Sequence, residues 1–183
     1  MNTKETVKIG VAHSAKEVAR TAVFISAAIG AQYTLSAVPF VEIVTLLFIC
    51  YSYVFGAARG AIAAVGFAFL RQLLFGFFPV ILILYLVYFP LLSLVFGSLG
   101  KQKKYSGGKL LILAVVLAVV CTACFTLLDN VLTPLYYAYS QKAARMYFMA
   151  SLPFMIGQSV CAAISVGLLF FPLTKVLFFV KKA

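Results

Sequence analysis

The amino-acid sequence predicts an all-α fold: an integral membrane bundle of six transmembrane helices, with both termini in the cytoplasm. Three observations carry this expectation. Hydrophobic residues make up 64% of the chain and charged residues only 10%, with a mean hydropathy of +1.11, whereas an ordinary soluble domain is about a quarter charged. The apolar residues fall into runs near the ~20-residue length that crosses a hydrocarbon core. Lysine and arginine, finally, are concentrated in alternate connections.

Taken in order, the helices are expected at about 18–38, 41–57, 60–77, 80–98, 109–132 and 147–171, following the apolar runs and their breakers. A polar tail of about 17 residues precedes the first, whose length and flanks suit a spanning helix better than a cleaved signal peptide. Pro39 separates the first pair. The second run, "VEIVTLLFICYSYVFGAARG", opens on Glu42, one of only four acidic residues, and closes on Gly56, Arg59 and Gly60. Pro79 separates the third and fourth, and Pro90 is expected to kink the fourth, a defect that membrane helices tolerate when neighbours satisfy the freed carbonyl. "GKQKKYSGGK" reads as the clearest polar loop, "TPLYYAYSQKAARM" as the longest, and 173–183 as a second tail. The whole chain is one transmembrane domain on this reading.

Orientation follows from charge. Lys4, Lys8, Lys16, Arg20, Arg59, Lys101, Lys103, Lys104, Lys109, Lys175, Lys181 and Lys182 share one face, twelve of fifteen basic residues. The positive-inside rule makes that face cytoplasmic. The net charge of +11 then follows from topology and from attraction to anionic lipid. A nucleic-acid partner is not expected, because the polar, aromatic-spaced context it needs is missing.

Ionisable groups inside a membrane are expensive and face a bundle interior, a partner or a water-filled cavity. Glu42 at the outer end of helix two, Arg71 in helix three with Gln72 beside it, and Asp129 in helix five all fall on the outer side. Thr122, Thr126, Asp129 and Thr133 share one helical face, with Asn130 adjacent. Ser151, Gln158 and Ser165 repeat every seven residues on helix six, Met155 and Ala162 filling the same stripe. Tyr33, Phe75, Phe77, Phe78, Tyr136, Tyr137, Tyr139 and Tyr147 surround the outer mouth. They suit stacking on a planar ligand or an aromatic belt at the interface. An outward-opening binding site containing Glu42, Arg71, Gln72, Thr126, Asp129, Asn130, Tyr137 and Gln158 is expected, the alternative being a structural ion-pair network of Glu42, Arg71 and Asp129.

Helix one, "TAVFISAAIGAQYTLSAV", carries Ala22, Ser26 and Gly30 at steps of four, and Ala27 and Ala31 on the adjacent stripe. Such small faces let another helix backbone approach closely. Gly60, Ala64 and Ala68 of helix three repeat the step, so both helices are expected to offer a smooth surface to another protein or to pack within the bundle.

No catalytic constellation is legible, and no resident metal or cofactor is expected. His13, the sole histidine, lies in the tail, so a Ser-His-Asp arrangement on the outer side cannot be assembled. Cys121 and Cys124 form a single CxxC within a membrane helix, without a second pair, and Cys50 and Cys161 are apolar filler. A phosphate-binding G-x-x-x-x-G-K-[ST] loop is absent from the sequence, so energy for any transport must come from a partner or a gradient.

The six-helix layout, the small face of helix one and the stretch from "VEIVTLLFICYSYVFGAARG" through "YLVYFPLLSLVFG" together resemble the substrate-binding S component of energy-coupling factor (ECF) transporters. The resemblance implies uptake of a vitamin or related micronutrient in the cytoplasmic membrane of a bacterium. It implies binding in the outward half, near Glu42, Arg71 and Asp129, and docking through Ala27 and Ala31 on a membrane T component that bears two cytoplasmic ATPases. The whole S component would topple during transport. A cobalamin-type corrinoid is the first ligand expected, then a pyridoxine-sized or pyrimidine-type vitamin; the lack of Trp counts against thiamin and riboflavin. A rod-shape-type morphogenetic scaffold is the alternative, and an intramembrane transferase would need more polar catalytic residues.

Overall fold

The structure, a computed structural model, describes residues 3–38, 41, 43–102 and 105–182, with side chains from residue 15 onward. It contains six helices: α1 (Thr3–Leu35), α2 (Val44–Phe55), α3 (Ala57–Phe75), α4 (Pro79–Gln102), α5 (Gly107–Tyr136) and α6 (Gln141–Lys182). No strand occurs among the described residues. Four helices, α3 to α6, are long and apolar enough to cross a membrane.

The expectation of six membrane-crossing helices is met in part: six helices form, and four of them are long and apolar enough to span. The second run, expected over 41–57, forms a helix of only 12 residues, about 18 Å at 1.5 Å per residue, against a hydrocarbon core of about 30 Å. It is apolar around most of its circumference because its neighbours cover most of it. Ten of its residues are buried, and α2 packs against all five other helices. Phe48, Ile49 and Cys50 are fully buried at its centre, with Phe24, Phe67 and Phe89 around Phe48. The first helix also differs. It begins at Thr3 and so includes the stretch expected as a tail, and it is not among the four long apolar helices.

The connections are shorter than expected because helices continue into polar sequence. Most of "TPLYYAYSQKAARM" is helical: α5 runs through Pro134 to Tyr136, α6 starts at Gln141, and residues 137–140 make the turn. At the other long loop α4 reaches Gln102 and α5 starts at Gly107. Pro90 lies within the continuous span of α4.

The residues that close "VEIVTLLFICYSYVFGAARG" now have separate reasons. Gly56 stands between α2 and α3 at φ +96°, a conformation open to glycine at little cost. Gly60 lies so close to Ser52 and Ser93 that a Cβ there would collide with both. Arg59 forms an ion pair with Glu17, fixing the α3 start beside α1. Gly60, Ala64 and Ala68, expected as a possible external surface, are buried. The α3 stripe is therefore used inside the bundle.

Around α2 the neighbours follow the order α1, α3, α4, α5, α6, each packed on the next. Among the described residues α1 and α6 do not pack on each other, and the ring is open there. An apolar groove of about 390 Å³ fills this seam, with Val23, Phe24 and Ala27 of α1 facing Leu173, Val176 and Leu177 of α6. Glu17, Arg59, Lys181 and the α2 carbonyl of Val54 gather at one end of the bundle, tied by the Glu17–Arg59 pair and by the Lys181 ammonium donating to Val54 O. The candidate site lies at the opposite end.

Candidate functional site

The site is built over the first turn of α2. A cavity of about 360 Å³ lies there, and every helix contributes to its wall: Ala31 and Gln32 from α1, Val44 from α2, Arg71 and Phe75 from α3, Tyr85 from α4, Phe125 from α5, Phe154 and Gln158 from α6. A second cavity of about 320 Å³ adjoins it, sharing Arg71, Tyr85 and Phe125 and adding Phe78, Asp129, Thr133, Tyr137 and Tyr147. Arg71 stands between the two.

The guanidinium of Arg71 is held by aromatic rings and, among the described residues, by no counter-ion. It lies 5.0 Å from the Phe75 ring centre and 5.3 Å from that of Tyr85, geometry in which the ring quadrupoles attract a cation. Its Nε and Nη1 are buried without a hydrogen-bond partner among the described residues. A buried charge-bearing donor left unmatched costs free energy. The Phe75 ring is in turn set against Tyr33, and Tyr85 against Phe67, Phe89 and Phe125. These contacts hold the guanidinium in place.

Asp129 has its own partners. Its carboxylate accepts hydrogen bonds from Thr133 Oγ1 at one oxygen and from Tyr147 Oη at the other, both 2.6 Å. The expected ion-pair alternative is therefore not formed by Arg71 and Asp129: neither appears in a salt bridge with the other, although both line the second cavity. Asp129 instead ties α5 to α6. Tyr147 continues into a chain of ring contacts through Tyr139 and Tyr137 to Tyr136.

The remaining expected site residues divide into three groups. Tyr137 and Gln158 line the cavities. Gln72, Thr126 and Asn130 face inward but line neither. The Gln72 Oε1 accepts from the backbone N–H of Phe78 at 2.9 Å and so fixes the α3–α4 turn, where Gly76 takes φ +95°. Thr126 is buried and donates to Thr122 O, while Asn130 Nδ2 donates to Ser151 Oγ at 2.7 Å, a second link from α5 to α6. Glu42 lies outside the described residues.

Helix one also divides. Ala22, Ser26, Ala27 and Gly30 are exposed on its outer side, whereas Ala31, expected on the docking face, lines the first cavity. A rotation of 100° per residue separates positions 27 and 31 by about 40°, enough to carry the second toward the interior. Sequence reasoning did not single out Gln32, Tyr85 and Phe125. Gln32 Nε2 donates to Tyr85 Oη at 3.0 Å, and Gln32 Oε1 is buried without a partner among the described residues. An amide within an otherwise apolar run was the available signal; nothing distinguished Tyr85 or Phe125 from other aromatics.

Comparison with known protein families, with curated proteins and with solved structures finds no match to this chain. The functional reading rests on the residues of the site.

Proposed function

We propose that the protein is a multi-pass membrane binding subunit that captures a small solute, acting as the S component of an ECF-type importer. One observation carries this reading: the Arg71 guanidinium, whose Nε and Nη1 are buried and unpartnered among the described residues, stands between two adjoining cavities to which all six helices contribute. Leaving a cationic donor unmatched inside a bundle costs more than leaving a neutral amide or hydroxyl so, and Arg71 is the charged member of the unmatched set among the described residues. A scaffold of the rod-shape type would have no use for an unmatched cation facing empty space.

Several features support the transport context. The cavities lie at the end of the bundle opposite the Glu17–Arg59 pair and Lys181. The positive-inside rule assigns that basic end, and with it both termini, to the cytoplasm. The cavities then open outward, and the membrane is the cytoplasmic membrane of a bacterium. The open seam between α1 and α6, with exposed Ala27 on its wall, suits close approach by a helix of a T component. Two partner ATPases would supply the energy, and this chain would carry out no chemistry. Cavities of about 360 and 320 Å³ are at the lower end of ligand-site volumes. They favour a pyridoxine-sized or pyrimidine-type vitamin over a corrinoid.

Native mass spectrometry of the protein purified in mild detergent tests the reading. A bound small molecule is expected with the wild type and is lost from Arg71→Ala at unchanged folding. An empty wild-type protein that co-purifies with cell-wall synthesis proteins overturns it.

A further inference from the structure

Resting on that reading, we infer that the ligand is an aromatic acid: a flat ring carrying a carboxylate or phosphate, the oxyanion held by Arg71 and a donor on the ligand held by Gln32. Four features of the first cavity converge on this chemistry.

The first is the pair of unmatched donors. A guanidinium presents parallel N–H bonds from Nε with Nη2 on one edge and from Nη1 with Nη2 on another, so each of the two unmatched nitrogens is one arm of a fork that matches the two oxygens of a carboxylate or phosphate. Nε and Nη1 of Arg71 are buried and unpartnered among the described residues. The second is Asp129, which lines the adjoining cavity but is turned to Thr133 and Tyr147, so that among the described residues no carboxylate neutralises Arg71. The third is the floor. Helix α2 begins beneath the cavity at Val44, after Ile43, whose side chain offers no cap. The positive end of its dipole adds to the field of Arg71. The fourth is the wall. Phe75, Tyr85, Phe125 and Phe154 border the space, a lining on which a flat ring stacks.

Gln32 supplies the complementary acceptor. Its Nε2 is engaged by Tyr85 Oη, so its buried Oε1 remains available as an acceptor. A ligand with an N–H or O–H on the ring edge away from its oxyanion would satisfy both groups. Oxyanion, ring and donor together define the class.

The test uses matched probes that differ only in the charged group: benzoate against benzamide, and phenyl phosphate against phenol. Each is titrated into the full chain in detergent and read by thermal shift. The anionic member of at least one pair is expected to half-saturate at about tenfold lower concentration than its neutral partner, the scale of one hydrogen-bonded charge contact. The pair that discriminates more identifies carboxylate or phosphate. Arg71→Gln is expected to abolish the difference, while Arg71→Lys, which keeps the charge but loses the fork, retains only part of it. Equal affinities within both pairs, or no shift from any probe, overturn the inference from wild-type data alone, even if Arg71→Gln fails to fold. The binding reading is judged separately. A neutral molecule that co-purifies and is lost from Arg71→Ala defeats the aromatic-acid assignment and leaves a binding subunit standing.

Discussion

Removing the hydroxyl of Tyr147 should weaken the tie between α5 and α6, and the size of that effect can be worked out from the geometry. Tyr147 Oη donates to one Asp129 oxygen at 2.6 Å, and Thr133 Oγ1 donates to the other at the same distance. Hydrogen bonds to an ionised acceptor contribute about 1.5–3 kcal/mol in proteins generally. Those between membrane helices average only about 0.6 kcal/mol, with a maximum near 1.7, because the separated helices also find partners. The bond is short and charged, which favours the upper part of that range. Both side chains are half-exposed, which lowers it. A coupling of about 1–1.5 kcal/mol is the expected compromise. The measurement is a double-mutant cycle of Tyr147→Phe and Asp129→Ala, followed by reversible denaturation in detergent. Loss of the Thr133 partner occurs in both Asp129 backgrounds and cancels. Additivity within about 0.3 kcal/mol would refute the contact. A parallel cycle of Arg71→Gln with Asp129→Ala should be additive within about 0.5 kcal/mol, since no ion pair joins them; strong coupling there would restore the ion-pair network.

Three further outcomes follow from the packing. Gly97→Ala should destabilise by about 1–3 kcal/mol, because its Cβ would collide with the backbone of Ala57. Gly30→Ala, with nothing within 4 Å, should be neutral or stabilising by up to about 1 kcal/mol. Equal melting temperatures for the two variants would contradict the helix placement. Ala31→Trp should block the first cavity and abolish ligand binding, whereas Ala27→Trp should leave binding intact and prevent assembly with a T component in a pull-down. The reverse pattern would exchange the roles of the two faces. Finally, cysteines replacing Lys101 and Lys142 should be labelled by an impermeant reagent from opposite sides of the membrane, the first from the cytoplasm and the second from outside; labelling from the same side would remove the positive-inside assignment.

How much of this was legible in the sequence depends on what each signal measures. Hydropathy reports that a segment avoids water, not whether lipid or protein covers it. The α3 to α6 runs were therefore readable as long apolar helices, while α2, buried by its neighbours, looked like a fifth example of the same thing. Polarity likewise marks where a helix leaves an apolar phase and not where its hydrogen bonding ends, so α5 and α6 continue into the polar stretch from 133 to 146. Within the site, Arg71 and Asp129 stood out because charge in an apolar run is costly. Their relationship did not, since the choice between pairing with each other and with hydroxyls depends on rotamers and helix rotation. Thr126 is buried and Asn130 half-buried, yet neither borders a cavity, because periodicity cannot tell whether an inward face meets a cavity or another helix.

The short α2 also explains why a cavity exists where it does. A helix of 12 residues reaches about 18 Å, so that roughly 12 Å of a 30 Å hydrocarbon core is not spanned by α2. Its lower end is fixed: Gly56 turns the chain directly into α3, and Arg59 anchors that turn to Glu17. Packing there is at backbone contact, with Gly97 against Ala57 and Gly100 against Tyr53, so α2 cannot slide toward the basic end. The unspanned length must therefore fall beyond Val44, where the five surrounding helices enclose it. Polar side chains are costly along most of such a bundle, but at this level Gln32, Arg71, Asp129 and Gln158 border space and need not be packed in hydrocarbon. The apolar run of α2 is thus a pedestal, buried by its neighbours and ending in a first turn that forms the floor of the cavity.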